Sequence, residues 1–366
     1  MKIKNKYRFL FAGGGTGGHL FPAVAVAEKI KSILPEADIL FVGTKSRIEG
    51  RVVPKLGYKF KSIWIKGFSR KLTVENLLFP LKLIVSVIQS IIISMKFKPK
   101  VAIGSGGYVS GPAIFGSSVT GAKIILIEQN SYPGVTTKML ERFAEEIHIS
   151  FDDSKKFFKD KNKLLLTGNP VRGNLTRMNK EDARQFFGLS GTGKTLLVLG
   201  GSLGAASLNQ AVSHCINKLK EKKIQLIWQT GKNYFEKYKS HFDDGVFINS
   251  FIDDMNKAYA ACDLLVSRSG ATTIAEIVTL GIPSILVPSP NVAENHQFYN
   301  AKSLTDNNAA VLLEDKIVEE KLFEEIEKLI FNSTQLEKLS SNAKALGKPD
   351  AAYIIAKNAI KYAEAV

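Results

Sequence analysis

Two series of short apolar runs, each alternating with helical patterns and each opened by a glycine-rich turn after its first run, predict an α/β protein of two Rossmann-like doubly wound domains facing a shared cleft. Length agrees, since 366 residues exceed one ordinary domain and suffice for two cores. Two cysteines, Cys215 and Cys262, follow no metal or disulfide spacing, which argues for a reducing, cytoplasmic setting. The basic start is followed by an apolar run that breaks into glycines within a few residues, so no signal peptide is expected.

In the first series, strands are expected at 9–12, 39–42, 59–65, 101–105, 124–128, 146–150 and 164–167, with helices at 23–34, 49–56, about 112–120 and 134–144. This βαβα order predicts a parallel sheet covered on both faces. Gly168-Asn169-Pro170 ends it, so the first domain is 1–168 and the second 169–349. The second series has strands at 195–199, 224–229, 246–249, 264–267 and 284–288, and helices at 208–219, after Gly231, at 255–261 and at 272–280, with only helices expected beyond. Pro349 precedes a last helix, 350–366, expected to pack back on the first domain.

The formal charge of +16 is unevenly placed: residues 1–100 carry 19 Lys and Arg against 5 Asp and Glu, and the rest carry 31 against 29. A basic first half suits an anionic membrane, a polyanionic substrate or nucleic acid. No RNP-like or helix-turn-helix pattern accompanies it, so nucleic acid is not expected. The segment 77–95 is the most apolar, but Pro80, Lys82 and Gln89 break it, and it is not read as a span. Two readings stay open: a helix buried in the first domain, or one resting its apolar face on an anionic bilayer among Lys66, Arg70, Lys71, Lys82, Lys96 and Lys98.

The turn at 12–22 holds Gly13, Gly14, Gly15, Gly17 and Gly18, which let backbone approach a ligand closely before a helix N-terminus able to take a diphosphate. Its single group able to move a proton near neutral pH is His19. Residues 188–195 match the GxxxxGK[ST] nucleotide loop, but there a helix precedes and a strand follows, the reverse of what that loop needs. The turn at 104–112 and the strand end Glu128-Gln129-Asn130 fall on the same sheet edge as the first turn. In the second series, 267–276 is a strand end, a turn and a helix start, with Glu276 suited either to a ribose diol or to the helix dipole.

Gly13-Gly14-Gly15-Thr16-Gly17-Gly18-His19, 106–112, Glu128-Gln129-Asn130, 168–172, Gly200-Gly201-Ser202, 251–255 and Ser267-Arg268-Ser269-Gly270 occur in the order and approximate spacing of the MurG family, which the chain resembles over nearly its whole length. That family comprises N-acetylglucosaminyltransferases of peptidoglycan synthesis. The resemblance implies a GT-B glycosyltransferase fold and transfer of the sugar from UDP-N-acetylglucosamine to the 4-hydroxyl of N-acetylmuramic acid on undecaprenyl-diphosphate-linked lipid I, giving lipid II at the cytoplasmic face of the inner membrane. It implies that Thr16, Gly17 and Gly18 line the sugar and diphosphate side and that Asn130 meets the N-acetylglucosamine. Arg172 and Ser202 would hold the UDP diphosphate, and Ile252 the uracil through its backbone. Ala271, Thr272, Thr273, Ile274, Ala275 and Glu276 would surround the nucleotide, with Glu276 on the ribose, and Gln297 would bind sugar hydroxyls. The acceptor pyrophosphate falls to Gly14, Gly15, Gly106, Gly107 and Tyr108.

His19 is the natural base for the acceptor hydroxyl, with Tyr108 or Glu128 as alternatives. No carboxylate pair stands at a suitable strand end, so neither a metal nor a cofactor is expected. Leu203, where the family usually has Gln, and the stretch 289–295 depart from the pattern and affect local donor contacts. A transferase with another lipid acceptor would share the donor residues without needing 104–112 to meet a pyrophosphate, and a sugar-nucleotide epimerase would act without any acceptor.

Overall fold

The computed structural model describes residues 7–67, 78–171, 178–201 and 203–365. The chain divides into two compact units, 1–173 with 348–366, and 174–347.

The first unit holds a seven-stranded, all-parallel sheet: β1 Arg8–Ala12, β2 Asp38–Gly43, β3 Lys59–Ser62, β4 Val101–Gly104, β5 Lys123–Glu128, β6 Glu146–Ile149 and β7 Leu164–Leu166, in spatial order β3-β2-β1-β4-β5-β6-β7. Successive side chains leave on opposite faces, and both faces are apolar. Phe9, Phe11, Phe41, Ile103 and Ile125 meet helix α1, Gly17–Ile33, and the last helix, while Leu10, Leu40, Ala102, Ile124 and Leu126 pack on the other side with Ile114. Helix α1 starts six residues before the expected 23. Its first turn is the glycine run itself, and Pro22 costs it one bond, to Gly18, where no Cβ obstructs the ring. His19 therefore lies in the first helical turn.

Helix α2 is Ile48–Lys55, and α3, Phe79–Phe97, corrects the reading of 77–95 as a buried helix. Its buried residues are Lys82, Ser86, Ser90 and Ser94, whereas Leu81, Ile84, Ile88, Ile92 and Met95 are exposed. The serines sit four apart on one face against α4, Ser110–Val119, with a Ser94–Thr120 hydroxyl contact at 2.7 Å. Gly116 lets the helices touch: a Cβ there would lie 2.8 Å from Ser90 Cβ and 2.9 Å from the Ile91 nitrogen. Small residues on both helices thus bury the polar stripe and leave the apolar one outside. Among the described residues α3 alone is long and apolar enough, by length and composition, to cross a membrane.

After the short helix α5, Val135–Leu140, the unit is completed by the last helix, Ala351–Glu364, which lays Ile355, Ala356 and Ala359 on the sheet face shared with α1. Asn358 and Tyr362 donate to the Glu146 carboxylate at 2.8 and 3.1 Å. Burial alone would raise the pKa of Glu146, but hydrogen bonds from His148, Asn358 and Tyr362 outweigh it and hold the group below the usual glutamate range.

The second unit begins with α6, Lys180–Phe186, and has a six-stranded parallel sheet: β8 Lys194–Leu199, β9 Ile224–Gln229, β10 Val246–Asn249, β11 Leu264–Ser267, β12 Ser284–Leu286 and β13 Val311–Leu312, in order β10-β9-β8-β11-β12-β13. The two-residue β13, beside β12, corrects the expectation of helices alone beyond β12. The nucleotide-loop look-alike is the link from α6 to β8, with Gly188 at φ +70 after the helix end. Helix α7, Ala206–Glu221, and helix α8, Phe235–Tyr238, precede α9, Met255–Ala261, and α10, Ala271–Leu280; α11 is His296–Thr305.

Candidate active site

In the first unit β1, β4 and β5 end side by side. The strand order reverses between β1 and β4, which opens a crevice at their carboxyl ends. Both glycine-rich turns sit there and interlock. A Cβ on Gly13 would run into Ser105 Oγ, one on Gly107 into the Gly14 carbonyl, and one on Gly106 would come within 2.8 Å of His19 Nδ1. Gly15, at φ +86, passes the Tyr108 ring. These glycines let two turns meet, and Gly18, whose Cβ would meet only Thr16 Oγ1 at 3.8 Å, leaves open space beside the exposed Thr16.

The first turn is held by Glu49, which is 1% exposed. Its Oε2 accepts from the Gly15 N–H at 3.0 Å, and its Oε1 from the Thr44 N–H at 3.0 Å and the Thr44 hydroxyl at 2.7 Å. The Gly15 N–H, expected on the acceptor pyrophosphate, is therefore already engaged.

His19 is fixed in one tautomer. Its Nδ1 lies 3.0 Å from the Ser105 carbonyl oxygen and 3.2 Å from Gln129 Oε1. A carbonyl only accepts, so Nδ1 carries the proton, and in the neutral ring Nε2 holds the lone pair. Gln129 is oriented by donating through Nε2 to the same carbonyl at 2.9 Å, and Ser105 Oγ donates to the His19 carbonyl at 2.7 Å. Nε2 has no hydrogen bond among the described residues.

Glu128, an alternative base, is 2% exposed, and both its oxygens are used: Oε1 by the Asn130 N–H at 3.1 Å and side-chain amide at 3.3 Å, Oε2 by the Gly134 N–H at 3.0 Å. It orients Asn130 and starts α5.

In the second unit β8 and β11 are neighbours at the corresponding reversal. Gly201, at φ +85, lies in the first turn and Leu203 is exposed. Helices α1, α7 and α10 start from Thr16, Ala205 and Gly270, none giving a side-chain capping bond, and none has an acidic residue in its first turn. By contrast, α6 and α9 are capped by Asn179 and Asp254. Uncapped N–H groups and a positive dipole end suit an anion. Thr272 Oγ1, in the first turn of α10, is buried with no partner among the described residues.

Ile274 and Ala275 turn into the core, leaving Thr272, Thr273 and Glu276 on the more open side. The Ile252 N–H is given to Gln229 Oε1 at 2.9 Å, so the carbonyl is the backbone group left for a uracil. Gln297 takes the Ser289 N–H at 2.9 Å on Oε1, after a backbone in which Glu294 and Asn295 both have positive φ, at 52 and 49. Arg268 is committed to Asp315, at 2.5 Å, and to Ser207 Oγ, at 2.9 Å. Arg172 and Ser202 lie outside the described residues, as do Arg70 and Lys71.

Glu49, Gln229 and Tyr259 were missed by sequence reasoning, which placed Ser105 and Gln129 in their motifs at this sheet edge without giving either a role. Each acts on a backbone group or side chain supplied from elsewhere in the fold, and only the acidic Glu49 at a helix start left any signal.

Two parallel-sheet units with uncapped helix starts at their switch points are the architecture of the GT-B glycosyltransferases. The glycosyltransferase family 28 N-terminal domain matches residues 9–149, and the family 28 C-terminal domain matches 195–354. The chain belongs to glycosyltransferase family 28. It is 42% identical over 362 residues, 98% of each chain, to a Flavobacterium psychrophilum protein named UDP-N-acetylglucosamine--N-acetylmuramyl-(pentapeptide) pyrophosphoryl-undecaprenol N-acetylglucosamine transferase. A Bacteroides fragilis protein of the same name is 43% identical, covering 98% of this chain and 96% of its own. The crystal structure of Acinetobacter baumannii MurG superposes with a TM-score of 0.77 at 25% identity, over 97% of this chain and 99% of that one.

Proposed function

We propose that the protein moves N-acetylglucosamine from UDP-N-acetylglucosamine to the 4-hydroxyl of the N-acetylmuramic acid of lipid I, giving lipid II with inversion. Full-length similarity to proteins named for that transfer carries the reading. Residues 1–168 with 350–366 take the acceptor and 169–349 the donor. His19 Nε2 accepts the hydroxyl proton as the oxygen attacks C1 of the sugar, the C1–O bond to the diphosphate breaks, and UDP departs. The α10 start, Thr272, Arg172 and Ser202 hold the diphosphate, whose added charge favours the N–H groups. Glu276 takes the ribose, the Ile252 carbonyl accepts from uracil N3–H, and Asn130 and Gln297 meet the sugar. Thr16, Gly17 and Gly18 line its diphosphate side, with Gly14, Gly15, Gly106, Gly107 and Tyr108 towards the acceptor pyrophosphate.

The protein sits peripherally on the cytoplasmic face of the inner membrane, through α3. Leu81, Ile84, Ile88, Ile92 and Met95 form an outward apolar face, and burying one such side chain fully is worth about 1.5–3 kcal/mol. Lys66, Lys96 and Lys98 add attraction to anionic lipid, whereas Lys82 is buried on the serine face.

Labelled sugar should pass from UDP-N-acetylglucosamine to a lipid I analogue with EDTA present. Release of UDP without transfer would sink the acceptor and favour an epimerase. The pair Ile84→Asp and Ile88→Asp should abolish co-sedimentation with anionic vesicles while transfer to a short-chain soluble acceptor persists. Undiminished co-sedimentation would place the membrane contact elsewhere.

A further inference from the structure

We infer that Tyr259 is a positioning residue for donor recognition, its hydroxyl holding the Glu276 carboxylate in the orientation that reads the ribose diol. The inference rests on the reading of Glu276 as the ribose ligand. Tyr259, 5% exposed, donates from its hydroxyl to Glu276 Oε2 at 2.6 Å. Burial first, then the Glu276 charge, push the phenol well above its ordinary pKa, so it remains a donor throughout the working range.

The bond joins two elements that meet different parts of the nucleotide. Tyr259 stands in α9, which begins three residues after Ile252, on the segment assigned to the uracil. Both ends of that segment are pinned, Ile252 by Gln229 Oε1 and the helix start by Asp254, which accepts from the Lys257 N–H at 3.2 Å. Glu276 stands in α10, whose open start is assigned to the diphosphate. One hydrogen bond thus ties the base side to the ribose and phosphate side. A glutamate has three rotatable bonds, and ordering it beforehand removes that cost from binding.

The test compares UDP with 2′-deoxy-UDP as competitive inhibitors of the full-length enzyme. The variants are Tyr259→Phe, Glu276→Ala and the double variant. Tyr259→Phe keeps the ring and its packing, and thermal melts check that it folds. It should raise the KM for UDP-N-acetylglucosamine about 3- to 10-fold with kcat within about 2-fold, and lower the preference for UDP over the deoxy analogue by a similar factor. In the double variant the preference should equal that of Glu276→Ala alone, because the tyrosine acts through the glutamate. If Tyr259→Phe leaves the preference intact while Glu276→Ala removes it, the inference falls and the ribose reading stands. If Glu276→Ala leaves it intact, both fall.

Discussion

Replacing His19 by alanine is expected to lower kcat for transfer to a lipid I analogue by about 10²- to 10⁴-fold, the usual contribution of a positioned general base. The KM for UDP-N-acetylglucosamine should change little, because the contacts to the uridine, Ile252 and Glu276, are assigned to the other unit. The direction follows from the tautomer. With Nδ1–H given to the Ser105 carbonyl at 3.0 Å, Nε2 is the nitrogen with a lone pair for the acceptor hydroxyl. A purely structural histidine would do the same packing through Nδ1, and His19→Asn separates the two roles. Its amide can still donate to the Ser105 carbonyl, but it has no basic nitrogen. Steady-state kinetics should find it as slow as alanine. Recovery towards wild type in His19→Asn would make His19 a prop and move the base to Tyr108, since both oxygens of Glu128 are occupied by Asn130 and Gly134.

The parallel sheets were legible because strands buried on both faces read as unbroken apolar runs. Ile224–Gln229 and Val246–Asn249 fall where the pattern places them. The look-alike at 188–195 was rejected on element order alone, and the helix before β8 bears that out. Other features depend on information that one local stretch does not hold. Glycines and a proline lower helix propensity, so the start of α1 at Gly17 was hidden. In α3 hydropathy revealed an apolar segment but not which side faces out. That is decided by Gly116 on another helix, which accepts the Ser90 face at close range. The base candidate was visible as the one titratable side chain in the turn, while the Ser105 and Gln129 contacts that fix its tautomer come from 86 and 110 residues away. In the same way Glu49 reaches the Gly15 N–H across 34 residues, and its own neighbourhood shows only an acidic residue at a helix start, not the contact.

Removing that carboxylate should have the largest effect on stability of any single change in the site. Glu49→Ala strands the Gly15 N–H, the Thr44 N–H and the Thr44 hydroxyl around a small cavity. Bonds to a charged group are worth roughly 1.5–3 kcal/mol each and are not fully additive, so a loss of about 3–5 kcal/mol is expected. At roughly 2–4 °C per kcal/mol for a domain of this size, the first unit should melt about 6–20 °C lower, as calorimetry would record. Glu49→Gln keeps the volume and one acceptor oxygen, and should fold with a smaller loss. Its kinetics then decide what the glycine turn does. A carboxylate so close to a turn assigned to the acceptor pyrophosphate repels that anion, yet it also fixes the backbone that shapes the pocket. If Gly14 and Gly15 act by shape, Glu49→Gln should raise the KM for the lipid I analogue several-fold and leave the donor KM unchanged, because geometry is lost. If the Gly15 N–H itself binds the pyrophosphate, freeing it from a competing negative charge should lower that KM instead. The occupied N–H, at 3.0 Å from Oε2, favours the first outcome.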